Sequence, residues 1–290
     1  MLKRLFALVM LLAFLPACAL GEGYVINLIQ KPDAQWAFRE GVPILEMFFP
    51  PVKGADACIV RMGDEVMMID TATAGQRARV KAALEYAQVD RVNVAFNTHP
   101  HDDHIVGFQY VPETAAIDKM IITFPEDANF HMESTLDVMR AMGVPVETVG
   151  NGDILRMGEV EMEVIQSSTS WFTENNRSAM LKIRYGDRTI LMAADVELDG
   201  QNELLKTRPE ILKADILKYP HHGVAIAGWN FLKHVGAEVA VITHSRYSTK
   251  NVRKDAKKRR LPLVFTGDGM IRLRSDGEIW VVDQIPLDVE

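Results

Sequence analysis

The sequence is poor in cysteine, in long apolar runs and in positive charge, and each shortage excludes something. Cysteine occurs only at Cys18 and Cys58. Once Cys18 is removed or lipidated, as its context below suggests, no intrachain disulfide framework is possible. No apolar run reaches 18 residues, so nothing after the amino-terminal segment reads as a membrane-spanning helix. Lys and Arg number 32 against 39 Asp and Glu, a net charge of −7, which argues against a dedicated duplex-DNA coat protein. It does not argue against an enzyme that grips a phosphodiester through metal ions. No repeat of 20–50 residues is present, and no Ser/Gly/Pro-rich linker divides the chain. The 48% hydrophobic and 24% charged content is that of a globular protein, which excludes wholesale disorder and collagen-like repeats.

Residues 1–19 read as an export signal. Lys3 and Arg4 are followed by an apolar run from Leu5 to Leu15 and then by Pro16-Ala17-Cys18-Ala19. The run is too short for a comfortable membrane span, and the small residues after it mark a cleavage site. Ala17-Cys18-Ala19 fits ordinary secretion, whereas Leu15-Pro16-Ala17-Cys18 resembles a bacterial lipobox with Cys18 as the lipidated first residue. Both place the protein outside the cytoplasm, and residues 20–290 form one domain. Cys58, in the run Ala57-Cys58-Ile59-Val60, reads as a small buried hydrophobe in a strand.

Strand-like and helix-like segments alternate along this domain. Hairpins are expected over 58–62/66–69, 154–157/160–165, 180–185/189–192 and 271–274/279–282, with Gly63-Asp64, Gly158, Gly186-Asp187 and Gly277 at the turns. Further strands are expected at 92–96, 120–124, 216–219, 239–243 and 263–265. Helical spacing covers 75–87, 133–142, 196–205, 229–235 and 250–259. This order predicts an α/β protein in which two mixed sheets lie between outer helices, a four-layer αββα sandwich.

Chemistry concentrates in Thr98-His99-Pro100-His101-Asp102-Asp103-His104. Three of the chain's 8 histidines fall within six positions, directly after an apolar strand. Strand ends present ligands on a rigid scaffold. His99 and His101 can chelate one ion, and Asp103 and His104 can reach a second. Imidazole and carboxylate without thiolate form a first-row divalent-metal set, with zinc the leading choice and manganese compatible.

This segment resembles the His-x-His-x-Asp-His motif of the metallo-β-lactamase-fold hydrolases, and the resemblance extends over roughly residues 56–280. It implies a supporting role for Asp70 behind the metal loop. Later segments narrow the likeness. Asn175-Asn176-Arg177-Ser178, Leu191-Met192-Ala193-Ala194-Asp195-Val196-Glu197 and Ala214 to His221-His222-Gly223 resemble the soluble C-terminal domain of ComEC-type DNA-internalisation competence proteins. That resemblance implies a phosphodiester substrate, Asp195 bridging two divalent ions, and Asn176 and Ser178 in support. His221 and His222 close a strand, so one can complete the second metal while the other faces the first metal or the substrate; the sequence leaves the assignment open. Val224 replaces the usual Ser after His-His-Gly, and Tyr247-Ser248-Thr249-Lys250 replaces a Tyr-Gly-His-Pro run, with His244 the nearest histidine. Family members carry a separate His between the first cluster and the bridging Asp; here Asn175, Asn176 and Ser178 occupy that region.

A basic run, Lys250, Arg253, Lys254, Lys257, Lys258, Arg259 and Arg260, reads as a solvated helix face. The alternative is a patch that attracts phosphates of a nucleic acid. The reading as a whole is a binuclear metal-dependent hydrolase that attacks phosphodiesters with a metal-bound hydroxide. Asp103, Asp195 and His222 are its catalytic residues, and His99, His101, Asp103, His104, Asp195, His221 and His222 its metal ligands. The alternatives are a phosphocholine-type esterase, a lactone or amide hydrolase, and a metal-retaining binding protein without turnover. Oligomeric state stays open.

Overall fold

Period-two alternation sorts the strand residues between two apolar layers. In the computed structural model, which describes residues 38–287, Phe48, Ile59, Met68 and Ala95 face one way, into a core with helices Arg77–Tyr86 and Phe130–Ala141. Their neighbours Met47, Phe49, Cys58, Val60, Met67 and Ile69 face the other way and meet Met162, Val164, Ile183, Ile190 and Ile216 of a second sheet. The far side of that sheet, with Leu191, Leu217 and Ala240, packs on helices Leu198–Thr207, Trp229–Val235 and Lys250–Arg259. Helix, sheet, sheet and helix are thus stacked in four layers, as the alternation of elements predicts.

The first sheet runs Trp280–Ile285, Met270–Ser275, Leu45–Phe49, Ala57–Met62, Glu65–Thr71, Val94–Phe96, Met120–Ile122, Val146–Thr148. The second runs Leu263–Phe265, Val239–Ile242, Ile216–Lys218, Arg188–Met192, Met180–Tyr185, Val160–Ile165, Ile154–Met157. From Glu65–Thr71 to Val146–Thr148 the first sheet is parallel. From Arg188–Met192 to Leu263–Phe265 the second is parallel as well. The carboxyl ends of these two parallel sets converge, which is where open α/β sheets build their sites.

Several elements differ from the sequence expectation. The carboxy-terminal hairpin joins the first sheet, because Met270–Ser275 pairs with Leu45–Phe49, a strand that periodicity did not single out. The segment 92–96 is two strands: Asn93 accepts the Val66 N–H through its side chain and diverts Arg91–Val92 to pair with Ala116–Ile117. The helix expected from 133 starts at Phe130, capped by the Asn129 side chain, which accepts from the His131 and Met132 N–H groups. The helix expected from 196 starts at Leu198, because Ala194 adopts a left-handed φ of 43° and its carbonyl accepts from the His221 N–H. Residues 1–37, which include the expected export signal and Cys18, lie outside the described residues. Among the described residues no helix is long and apolar enough to cross a membrane.

Candidate metal centre

Each ligand-type side chain leaves the carboxyl end of a parallel strand. Asp70 ends Glu65–Thr71, the histidine segment follows Val94–Phe96, Asp195 follows Arg188–Met192, and His221-His222 follows Ile216–Lys218. Asp70 clamps the histidine loop. Its carboxylate accepts from the Thr98 N–H at 2.9 Å and the Thr98 hydroxyl at 2.7 Å, and lies 2.8 Å from His104 Nδ1. A single helical turn, Asp102–Ile105, then presents Asp103 and His104. Gly107 closes the loop against the preceding strand. A Cβ there would lie 2.0 Å from the Thr71 carbonyl oxygen, so no other residue fits without moving backbone. Asn129 ties the loop to the neighbouring helix by donating to the Pro100 carbonyl.

Asp195 is the centre of the cluster. Its Oδ2 lies 3.3 Å from His104 Nε2, 3.3 Å from His222 Nε2, 3.6 Å from His221 Nε2 and 3.9 Å from His99 Nε2. Asp103 Oδ2 is 3.2 Å from the same His222 nitrogen. His99, His104, Asp195 and His222 are buried, yet the Nε2 atoms of all three histidines have no hydrogen-bond partner. Their Nδ1 atoms are engaged from behind: His99 with the Thr98 hydroxyl at 3.1 Å, His104 with Asp70, and His222 with Asp56 at 2.9 Å. Buried nitrogens left unpaired around a carboxylate are costly unless a cation fills the space between them. The donor set, imidazole and carboxylate held by oxygen acceptors behind, fits a divalent ion.

Ligand atoms of Asp56, His104, Asp195 and His222 all fall within 4.8 Å of one another, a group able to hold a metal ion. Within that group Asp56 acts as support. One of its oxygens is ion-paired with Lys218 Nζ, and the other meets His222 Nδ1 and the Thr243 hydroxyl. Asp103 presents its carboxylate to His222 Nε2 in its place. Lys218, fully buried, also donates to the Ala194 carbonyl at 3.1 Å and sits 3.9 Å from Asp195 Oδ1. It therefore holds the loop that carries Asp195.

The paired histidines separate in space. His222 is buried among Asp56, Asp103 and Asp195. His221 is partly exposed, with Nε2 on Asp195 and Nδ1 3.1 Å from Glu197 Oε1. His101 is also at the rim, with Nε2 2.9 Å from Glu174 Oε2. Ser178 supports the centre by accepting the Asp195 N–H at 3.1 Å. Asn176 reaches no ligand: its side chain accepts from the Gly200 N–H and donates to the Thr173 hydroxyl, joining two backbone segments. His244 accepts from the Ser245 N–H and lies against Gly54, beside the cluster and outside it. Asp56, Lys218, Glu174 and Glu197 escaped the sequence reading. Only Lys218 carried a signal, a charge inside the apolar strand run Ile216 to Tyr219.

The electrostatics follow from burial and proximity. Burial, with the neighbouring His104 in support, pushes His99 well below the usual histidine range and leaves it neutral. Burial alone would also lower His222, but the Asp195 and Asp56 carboxylates overcome it and push His222 up to about 10. His104 is likewise held well above its usual range, by Asp195 and Asp70 against the burial cost. Burial would raise Asp195, and the positive charge of His222 and His104 instead holds it well below the usual carboxylate range. In the absence of a metal, these two imidazolium protons occupy the positive-charge role that an ion would take.

The sequence model of the Metallo-beta-lactamase superfamily matches residues 51–244, and the chain belongs to that superfamily. The fold is that of the superfamily's metal-dependent hydrolases. ComE operon protein 3 of Bacillus subtilis (strain 168) is 26% identical over 157 residues, which is 53% of this chain and 20% of the relative. Uncharacterized protein YcaI of Escherichia coli (strain K12) is 28% identical over 90 residues, 31% of this chain and 12% of that protein. The chain thus spans a small part of the curated relatives it matches. Among solved structures, the metallo-beta-lactamase fold protein YhfI from Bacillus subtilis superposes with a TM-score of 0.53 at 16% identity, covering 77% of this chain and 96% of that one. The CmlA beta-hydroxylase superposes with the same TM-score at 12% identity, covering 80% of this chain and 54% of that one. At these identities the structures speak to fold alone.

Proposed function

We propose that the protein is an exported binuclear hydrolase of phosphodiesters. The observation that carries the reading is the set of unpaired buried nitrogens of His99, His104 and His222 around Asp195. His104, His222, Asp103 and Asp195 would hold one ion, and His99, His101, His221 and Asp195 the other; Asp195 Oδ2 faces the histidines of both sets. When bound, divalent ions supply Lewis-acid polarisation and a lowered water pKa. Zinc or manganese suits the donors.

The chain's own groups do the rest. Asp103 is partly exposed at the rim, and its carboxyl is held low because the adjacent His222, 3.2 Å away, and the charge of His104 outweigh burial. It is therefore anionic at neutral pH and can accept a hydrogen bond from the attacking water. Asp56 fixes the orientation of His222 through Nδ1, and Asp70 fixes His104. The ComEC-type resemblance supports a phosphodiester as the bond attacked. Export rests on residues 1–19.

Hydrolysis of bis(p-nitrophenyl) phosphate, a single-stranded oligonucleotide, a p-nitrophenyl carboxylic ester and a lactone, each with zinc or manganese and again with chelator, tests the reading. Metal-dependent release of p-nitrophenol from the diester is the expected result. Lactone or carboxylic ester turnover without diester turnover would overturn it.

A further inference from the structure

The two ion positions are unequally supplied. At the deep one, Asp103 and Asp195 both face an imidazole nitrogen, at 3.2 Å and 3.3 Å from His222 Nε2. At the outer one, the shared Asp195 lies 3.9 Å from His99 Nε2. His99 is fully buried, and this nitrogen has no hydrogen-bond partner. The His101 ring stands 4.6 Å from the His99 ring, centroid to centroid, and its own Nε2 lies 2.9 Å from Glu174 Oε2. A second carboxylate therefore reaches the outer histidines.

The fold fixes Glu174 at this place. It follows strand Val160–Ile165 and leads into a tight turn, Asn175–Arg177. The Arg177 N–H closes that turn on the Thr173 and Glu174 carbonyls, and the Arg177 carbonyl accepts from Gln166 Nε2. Two residues on, the Ala179 N–H donates to the Thr98 carbonyl at 3.0 Å, which joins the turn to the residue before His99. Upstream, the Ser167 and Thr169 hydroxyls donate to Glu203 on helix Leu198–Thr207. The approach of Glu174 to His101 is thus built into the backbone on both sides. Its polar neighbours are engaged elsewhere. Asn175 Nδ2 donates to Glu197, Asn176 Nδ2 to the Thr173 hydroxyl, and the Ser178 hydroxyl to the Asn175 carbonyl. Among the described residues no Lys or Arg pairs with Glu174.

For bonds of about 2.1 Å, two donor atoms on one divalent ion lie roughly 3–3.4 Å apart. The distances in the deep set fall in that range, and the 2.9 Å between His101 and Glu174 stands at its lower edge. A hydrogen bond has the same length. The distance is therefore read together with the unpaired His99 nitrogen beside it and the lack of any Lys or Arg partner. We infer that Glu174 is a ligand of the outer ion, with His99, His101 and Asp195. The inference rests on the binuclear reading above. A carboxylate oxygen in that place suits manganese better than a further imidazole would. His101 and Glu174 are 36% and 33% exposed, so the outer ion is the one that leaves more readily.

Calorimetric titration of chelator-stripped protein with zinc and with manganese, alongside the absorption spectrum on adding cobalt, tests the inference without recourse to turnover. The wild type should take two ions, one tightly and one more weakly. Glu174→Ala should keep the tight ion and weaken the other by more than about a hundredfold, since loss of a merely supporting group already costs up to that much. Glu174→Gln should behave like Glu174→Ala. Its amide oxygen can still accept a hydrogen bond from His101, but it is a poorer ligand than a carboxylate. Glu174→His should recover the second zinc site and recover the second manganese site less. Circular dichroism establishes that each variant is folded.

Wild-type affinity for both ions in Glu174→Gln would show that Glu174 only orients His101, and would overturn the assignment. Two wild-type sites in Glu174→Ala, loss of both ions there, or no recovery of zinc in Glu174→His would overturn it as well. A wild type that takes a single ion would remove the outer site and leave the deep centre standing. A wild type that takes neither zinc nor manganese would remove the metal-centre reading itself, and the role of Glu174 with it.

Discussion

The centre has a deep half and a rim, and they are built differently. His99, His104, Asp195 and His222 are almost fully buried, and each deep histidine is tied from behind by a hydrogen bond to Thr98, Asp70 or Asp56. His101 and His221 at the rim are roughly one-third exposed and meet only the partly exposed Glu174 and Glu197. The deep half is held rigidly and the rim is open to solvent. Backbone strain gathers on the same side: Asp70, Ala72, Ala194, His221 and His222 are non-glycine residues with positive φ, and all border the site. Such residues cost of order 1–3 kcal/mol each and persist where surrounding contacts enforce them. In the proposed hydrolase the deep half would retain the ions, and the rim would meet the substrate.

Removing a deep ligand should have the largest effect. His222→Ala should lower diester hydrolysis by about a thousandfold or more, because a ligand and its orienting pair vanish together. His101→Ala, at the rim, should leave measurable turnover in the same assay. Equal losses would erase the distinction between the halves.

Below the ligands, Lys218→Met leaves Asp56 buried without its cation and should destabilise the protein by about 3–5 kcal/mol, read from denaturant unfolding. Adding Asp56→Asn should recover part of that loss. A fully additive double variant would show that the ion pair does not couple the two positions.

Gly107→Ala should cost about 1–3 kcal/mol and disturb the histidine loop, since the new Cβ falls on the Thr71 carbonyl. An unchanged thermal midpoint would contradict the tight closure of that loop.

Stability should also depend on pH. His222 is raised from 6.5 to about 10 in the metal-free fold. A raised folded-state pKa contributes stability that is fully present below the unfolded value near 6.5 and is lost as pH rises through about 10. Chelator-stripped protein should therefore lose stability between those limits. Zinc binding over the same range must displace that proton, so its affinity should climb with pH. Calorimetry in buffers of different ionisation enthalpy measures the proton released. No release at neutral pH would contradict the protonated state of His222.

Legibility in the sequence did not follow the division into deep half and rim. His99, His101, Asp103 and His104 stand together because one loop after one strand carries them, so local density sufficed. Asp195 and the histidine pair needed motif resemblance, since nothing local separates Asp195 from an ordinary helix cap. Asp56 was invisible: its partner His222 lies 166 residues away, and only the convergence of the two sheets brings them together. Lys218 was readable in principle as a charge in a buried strand. The layer order followed from alternation and the hairpins from their glycine turns. The pairing of Leu45–Phe49 with the carboxy-terminal hairpin depends on long-range register that no local pattern encodes.

The claim that stands above the others is that Asp195 organises a divalent metal centre. Elemental analysis of purified wild-type protein and of Asp195→Ala, both shown to be folded by circular dichroism, measures it directly. Up to two zinc or manganese ions per wild-type chain and a clear loss in the variant are the predicted result. Equal metal content in two folded proteins, or none in either after reconstitution with zinc and manganese, would contradict it.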